Sequence, residues 1–159
     1  MTHGMVSAPQ PEAVEAGAVA LKNGGNAVDA AIACALVQTA VDPQMCGIAG
    51  FGSMHLYLPK RGEHLLLDFH GRAPLATKPD MWADLIEHEA EDGFGFILKG
   101  RVNEMGYGSI TSPMSLRAYD LALKRFGSID LATLLEPAIE YAEKGFMVRP
   151  HVSYFWEVQ

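Results

Sequence analysis

The residues best suited to chemistry fall in one short stretch, His64, Asp68, His70 and Arg72. Glu63-His-Leu-Leu-Leu-Asp-Phe-His70 reads as a β-strand. The two-residue period of a strand puts His64, Asp68 and His70 on one face and Leu65, Leu67 and Phe69 on the other. A carboxylate and an imidazole two positions apart can hydrogen-bond or supply two metal ligands. No Cys/His cluster elsewhere in the sequence completes a metal site, so a hydrogen-bonded Asp/His pair at a strand end is the simpler expectation. Arg72 leaves the strand in Gly71-Arg-Ala-Pro74, where a guanidinium can grip a carboxylate bidentately or form a structural ion pair; both readings stand.

Other chemistry is less well supported. Cys46 before Gly47 resembles a nucleophile at a turn, with His70 as its base, but no third, orienting group can be named. Cys34 and Cys46 are the two cysteines, and both are expected to be free, buried thiols packing as small hydrophobes. Gly47, Gly50 and Gly52 approach dinucleotide-binding spacing, yet they lead into a strand instead of opening a helix, so nothing would hold a pyrophosphate. A G-x-S-x-G nucleophile elbow is absent from the sequence.

These residues need a scaffold. Residues 4–9 form a short apolar run ended by Pro9, consistent with a strand. Pro11-Glu12 opens a helix that Gly24-Gly25 ends. Asn26 caps the next helix, with Asp29 three positions on. From Ala27 to Val41 this helix is apolar on all sides, which requires burial on all sides. Met54–Leu58 and Glu63–His70 are strands joined by Pro59-Lys-Arg-Gly62. A helix is expected from Pro79 through Ile86, a polar loop from Glu87 to Arg101, and helices at 112–126 and 131–144. Pro137 lies inside the last of these, where a break or kink is expected. Residues 151–159 begin a further element. About three strands and five or six helices are expected, an α/β (α+β) chain.

One small sheet cannot cover the all-apolar helix on both sides. The chain is therefore expected to expose apolar surface, as part of a larger layered structure. With 159 residues it is at most one domain. The 19 acidic residues outnumber the 12 basic ones, for a net charge of -7; without a basic stripe, nucleic acid is not an expected partner. The longest apolar run is too short to span a bilayer. No leader pattern is visible at Met1–Met5, so a cytoplasmic protein is expected, unless a leader has been trimmed.

The order of segments resembles the opening of the gamma-glutamyltranspeptidase family. Gly4-Met-Val-Ser, Ala16-Gly17 and above all Leu21-Lys-Asn-Gly-Gly-Asn-Ala-Val-Asp-Ala-Ala31 carry it. The glycine-rich Gly47–Gly52 turn and Asp68-Phe-His-Gly-Arg-Ala-Pro74 follow in the family's order. So do Ser112-Pro113, Phe126-Gly127, Leu134-Leu-Glu-Pro-Ala138 and Ala142-Glu-Lys-Gly-Phe146. The resemblance implies an N-terminal-nucleophile (Ntn) hydrolase with an α/β/β/α sandwich, of which residues 1–159 form one incomplete domain, the N-terminal region of the large subunit. It implies no cofactor, and acyl transfer from gamma-glutamyl amides such as glutathione.

The nucleophile implied is a threonine freed by self-cleavage several hundred positions beyond this segment. No residue of the chain is then catalytic, and alone it is expected to be inactive. The implied partners are the remainder of the large subunit and the Thr-bearing small subunit. Two departures stand out. The family arginine that pairs with the donor's carboxylate aligns with His70, with Arg72 two positions on. Pro113-Met-Ser115 replaces Pro-Gly-Thr. His70 and Arg72 are the implied substrate-binding residues, and an imidazole in place of a guanidinium fork makes a different acyl donor an alternative.

Overall fold

The structure, a computed structural model, describes residues 4–157. The order of elements is α1 (Pro11–Lys22), α2 (Ala27–Val41), β1 (Gly52–Leu58), β2 (Glu63–Phe69), β3 (Ile86–Glu89), β4 (Phe96–Leu98), α3 (Ser115–Phe126), α4 (Leu131–Lys144) and α5 (Pro150–Glu157). Mixed helices and small antiparallel sheets agree with the α/β class. Met1–His3, Val158 and Gln159 lie outside the described residues, and with them part of the leader reading and the end of the last element.

The core is built on α2. Ile32, Leu36 and Val37 are fully buried, and Val28, Ala33 and Val41 nearly so. Helices α1 and α4 pack against α2. Ala13, Ala16 and Ala20 of α1 and Leu134 and Ala138 of α4 complete one cluster with Ala122 and Leu123 of α3. Gly17 lets α1 and α2 approach: a Cβ there would lie 2.8 Å from the Ala30 carbonyl oxygen and from Val6 Cγ1. Burial of α2 is not complete, however. Ala27 and Ala31 are exposed, leaving one stripe of small side chains open.

The start of α2 is a capping box. Asn26 Oδ1 accepts from the N–H groups of Val28 (2.8 Å) and Asp29 (3.3 Å), while Asp29 Oδ2 accepts from Asn26 N–H at 2.7 Å. Asp29 also reaches across the fold. Its Oδ1 accepts from the N–H groups of Ser128 (2.9 Å) and Ile129 (3.1 Å), and its Oδ2 from the Ser128 hydroxyl at 2.6 Å. Burial alone would push this carboxyl up. The hydrogen bonds from Ser128, Asn26 and Ile129 outweigh it and hold Asp29 below its ordinary value. The turn between α3 and α4 is thereby clipped to the head of α2.

Strands β1 and β2 pair antiparallel, from Gly52 opposite Phe69 to Leu58 opposite Glu63. Met54, Leu56 and Leu67 pack on the helical core, and Phe69 is buried with its ring edge-on to Tyr119 of α3. The other face of the hairpin is open: Tyr57 is 61% exposed and Leu66 68%. Exposed apolar surface, expected from the shortage of sheet, is found here and at Met5, Leu75, Phe94, Tyr107 and Met147. No helix among the described residues is long and apolar enough to cross a membrane.

Four sequence expectations are corrected. Residues 4–8 are not a strand, since no segment among the described residues pairs with them; Val6 and Ala8 instead pack on the helical core. The helix expected from Pro79 to Ile86 is a series of turns ending in a 3-10 turn, Ala83–Leu85. There Met81, Trp82 and Ile86 line a hollow of about 480 Å³ with Phe96 and Leu98, so a tertiary contact claims the apolar side chains that mimic a helical stripe. The loop expected at 87–101 contains a second hairpin, β3–β4, interrupted by a bulge between Ile86 and His88. Finally, of the break or kink expected at Pro137 the break is not found: α4 is continuous from Leu131 to Lys144, its packing on α2 outweighing the lost hydrogen bond.

Candidate functional site

The candidate site lies where β2 leaves the sheet. Beyond Phe69 the chain stays extended and runs beside residues 111–112: Ser112 N–H donates to the Arg72 carbonyl at 2.9 Å. Gly71 is required at this crossing, since a Cβ would run into the Thr111 side chain. The glycine-rich turn before β1 is fixed to the same region. The Gly50 carbonyl accepts from the N–H groups of Met114 (3.0 Å) and Ser115 (3.1 Å), satisfying donors at the start of α3, which has no side-chain cap. That double bond sets Phe51 beside His70, ring centroids 5.7 Å apart.

His70 is held by Asp68. Asp68 Oδ1 accepts from the His70 backbone N–H at 3.1 Å and lies 2.9 Å from His70 Nδ1. These two bonds, and to a lesser degree the Arg72 charge, hold the Asp68 carboxyl below its ordinary value. All three side chains are exposed. The strand alternation expected from sequence is found, and so is the Asp/His pair at the strand end. His64 shares the face but does not join the pair: it stacks on Tyr57 at 4.4 Å and lies 5.9 Å from the His55 ring. Among the described residues no group of three His, Cys, Asp or Glu side chains is arranged to hold a metal ion.

The thiols do not form a nucleophile site with His70. Cys34 is buried; Cys46 is only half-buried, less than expected. Cys46 Sγ donates to the Asp42 carbonyl at 3.5 Å, and burial together with the Asp42 charge pushes its thiol up to about 11. The reactive form of cysteine is the thiolate, which these surroundings disfavour. Cys46 instead lines a hollow of about 460 Å³ with Gly47, Gly50, Phe51, Ser115 and Tyr119, next to the candidate edge; neither His70 nor Arg72 lines it.

Phe51, Gly50 and the 111–112 segment are neighbours of the site that sequence reasoning did not identify. An aromatic residue between two glycines of a turn is a usable signal for Phe51, because nothing in such a turn can bury it.

This assembly has counterparts in known proteins. The family model for gamma-glutamyltranspeptidase matches residues 13–159. The acylase ACY 1 proenzyme of Pseudomonas sp. (strain V22) is 39% identical over 152 residues, 96% of this chain and 26% of that protein. The glutathione hydrolase proenzyme of Bacillus subtilis (strain 168) is 36% identical over 145 residues, 91% of this chain and 23% of that protein. The chain thus spans about a quarter of the length of these curated relatives. Among solved structures, the gamma-glutamyltranspeptidase of Helicobacter pylori superposes with a TM-score of 0.85 at 28% identity, over 99% of this chain and 42% of that one. With the sequence blocks, the fold and the family model in agreement over nearly the whole length, the chain belongs to the gamma-glutamyltranspeptidase family.

Proposed function

We propose that this chain supplies scaffold and one wall of the acyl pocket to a gamma-glutamyltranspeptidase-like Ntn amidohydrolase. In that reading a threonine outside the chain attacks the amide carbonyl of a glutathione-type donor. Its own amine takes the hydroxyl proton and passes it to the leaving amine. The acyl-threonine ester is then released by water or by the amine of an amino acid. His70 and Arg72 line the pocket and contact the acyl group. The remainder of the large subunit and the Thr-bearing small subunit cover the open face of the β1–β2 hairpin.

The observation that carries this reading is the Asp68–His70–Arg72 edge. It projects polar and charged groups away from the chain's own core, on a sheet face left exposed by the described residues. A structural ion pair would need no such open edge. The test is expression of the full reading frame and assay with gamma-glutamyl anilide. Self-cleavage and release of the aniline are expected. A processed enzyme that hydrolyses no gamma-glutamyl or other acyl anilide would refute the proposal.

A second reading, an acylase with a non-glutamyl donor, is favoured by His70 itself. A guanidinium offers a fixed fork to a carboxylate and an imidazole does not, and an acylase is among the relatives at 39% identity. His70→Arg in the processed enzyme separates the two. Under the acylase reading it shifts preference toward gamma-glutamyl donors; under the first it leaves the preference where it was.

A further inference from the structure

The second reading leaves open what the imidazole would recognise, and the geometry around His70 bears on that. A carboxylate can only accept hydrogen bonds, so the ring nitrogen facing Asp68 must carry the proton. Asp68 Oδ1 receives both the backbone N–H and Nδ1 of His70. The backbone bond fixes the carboxylate in place, and the ring then has one orientation that satisfies it. Nε2, on the far side of the ring, is left without a hydrogen bond from the described residues. Beside the imidazole lie the Asp68 carboxylate and the Phe51 ring, and the Arg72 charge acts on Asp68.

We infer that Asp68 is a positioning residue: it holds the Nδ1–H of His70, so that Nε2 is the ring atom offered to the substrate and the pocket takes an acyl group bearing an N–H or O–H at that point in preference to a carboxylate. The inference deepens the acylase reading and rests on it for the place of His70 in the pocket. A neutral imidazole has one N–H and one acceptor. With the N–H engaged at Asp68, an incoming carboxylate meets a lone pair and binds well only if the ring takes up a proton. An amide or hydroxyl meets an acceptor directly. Asp68 and Arg72 carry opposite charges, which weakens the attraction that a lone guanidinium would exert on a carboxylate.

Two measurements test this. The first is made on the full-length protein. In a sample labelled with 15N-histidine, the imidazole nitrogens of His70, identified by their loss in His70→Asn, are expected to show a protonated Nδ1 and a bare Nε2. Asp68→Ala is expected to move the proton to Nε2 or to mix the two forms. Asp68→Asn retains an oxygen in the same place and is expected to preserve the wild-type pattern. A wild-type ring protonated at Nε2, or a pattern unchanged in Asp68→Ala, overturns the inference.

The second uses the processed full-length enzyme and two isosteric donors, the anilides of glutaric acid and of its monoamide. The amide-bearing donor is expected to have the higher kcat/KM. Asp68→Ala should reduce that preference by about tenfold, the size of one ordinary hydrogen bond, through KM with kcat little changed. A preference that does not respond to Asp68 overturns the inference. An enzyme that cleaves no acyl anilide defeats the proposed function instead, and the imidazole nitrogens then decide the inference alone.

Discussion

Asp29 is fully buried, yet its carboxylate has four donors: the N–H groups of Asn26, Ser128 and Ile129 and the hydroxyl of Ser128. Replacing Asp29 by Ala removes all four at once. A hydrogen bond to a charged group contributes about 1.5–3 kcal/mol net, so simple addition gives a loss of about 6–12 kcal/mol. That sum is too large. Asn26 and Ser128 are exposed residues, and water can reach their donors once the carboxylate is gone. With roughly half the bonds replaced by water, the loss for Asp29→Ala is about 3–6 kcal/mol, a large share of the ~5–15 kcal/mol that stabilises a domain.

Asp29→Asn refines the test. Its oxygen can still accept from Ser128 and Ile129, while its NH₂ group faces the Asn26 N–H, donor against donor. One good bond is lost and one poor contact is made, for about 2 kcal/mol. Urea denaturation followed by far-UV circular dichroism measures both variants. The acid limb gives a further check. Because the folded carboxyl lies below its ordinary value, its contribution is complete above that ordinary value and is lost as pH falls toward the lowered one. Wild type should therefore lose stability below about pH 4 more steeply than Asp29→Ala. An Asp29→Ala cost under about 0.5 kcal/mol, or an Asn cost equal to that of Ala, would refute the clip as the main tie between α2 and the α3–α4 turn.

Gly17→Ala should destabilise the chain although Ala is the better helix former by about 1 kcal/mol. The new Cβ meets the Ala30 carbonyl at 2.8 Å, backbone that cannot yield, and overpacking of this kind costs about 1–3 kcal/mol; thermal melting reads the sign. Cys46, with its thiol pushed up to about 11, should react with iodoacetamide at pH 8 far more slowly than in the urea-unfolded chain, by about two orders of magnitude if thiolate fraction controls the rate; mass spectrometry follows the label. Glu12→Gln should loosen α5. Glu12 Oε1 accepts from Arg149 Nη2 at 2.7 Å, and that bond holds the Glu12 carboxyl low, so faster hydrogen exchange at Val152 and Ser153 is the expected result.

What was legible in the sequence is what local rules determine. Asn26 and Asp29 announce the start of α2 by type and spacing, and the cap is there. The alternation from His64 to His70 is a local property, so the facing of Asp68 and His70 and their hydrogen bond followed from it. The second role of Asp29 was not legible, because its partners Ser128 and Ile129 lie a hundred positions away and carry no mark of the contact. The β3–β4 hairpin was hidden because its bulge breaks the two-residue period that would have revealed it. Trp82 misled for the opposite reason. With Met81, Leu85 and Ile86 it copies a helical stripe, but the hollow shared with Phe96 and Leu98 determines the conformation.

The sequence block that carries the family resemblance and the edge proposed to choose the donor are different parts of this chain, and they have opposite physical character. In Leu21–Ala31 the polar side chains that define the pattern are already engaged. Asn26 accepts at the cap and donates from Nδ2 to the Phe126 carbonyl at 2.8 Å, and Asp29 is filled by its four donors. Gly25 leaves no room for a side chain: a Cβ would lie 2.8 Å from the Ala20 carbonyl oxygen. Asn26, Asp29 and Gly25 are thus spent on the fold, which is how this block specifies it. At residues 68–72 the reverse holds. The side chains of Asp68, His70 and Arg72 are exposed and Nε2 of His70 is open, so a substitution at one of these three positions changes what the edge presents, while Phe69 and Gly71 between them hold it to the core. Under the function proposed above, donor choice would diverge at His70 and Arg72 without a change of core. Exchanging residues 70 and 72 alone with those of a glutathione hydrolase relative, Gly71 being kept, should move donor preference while changing the stability read from urea denaturation by less than about 0.5 kcal/mol.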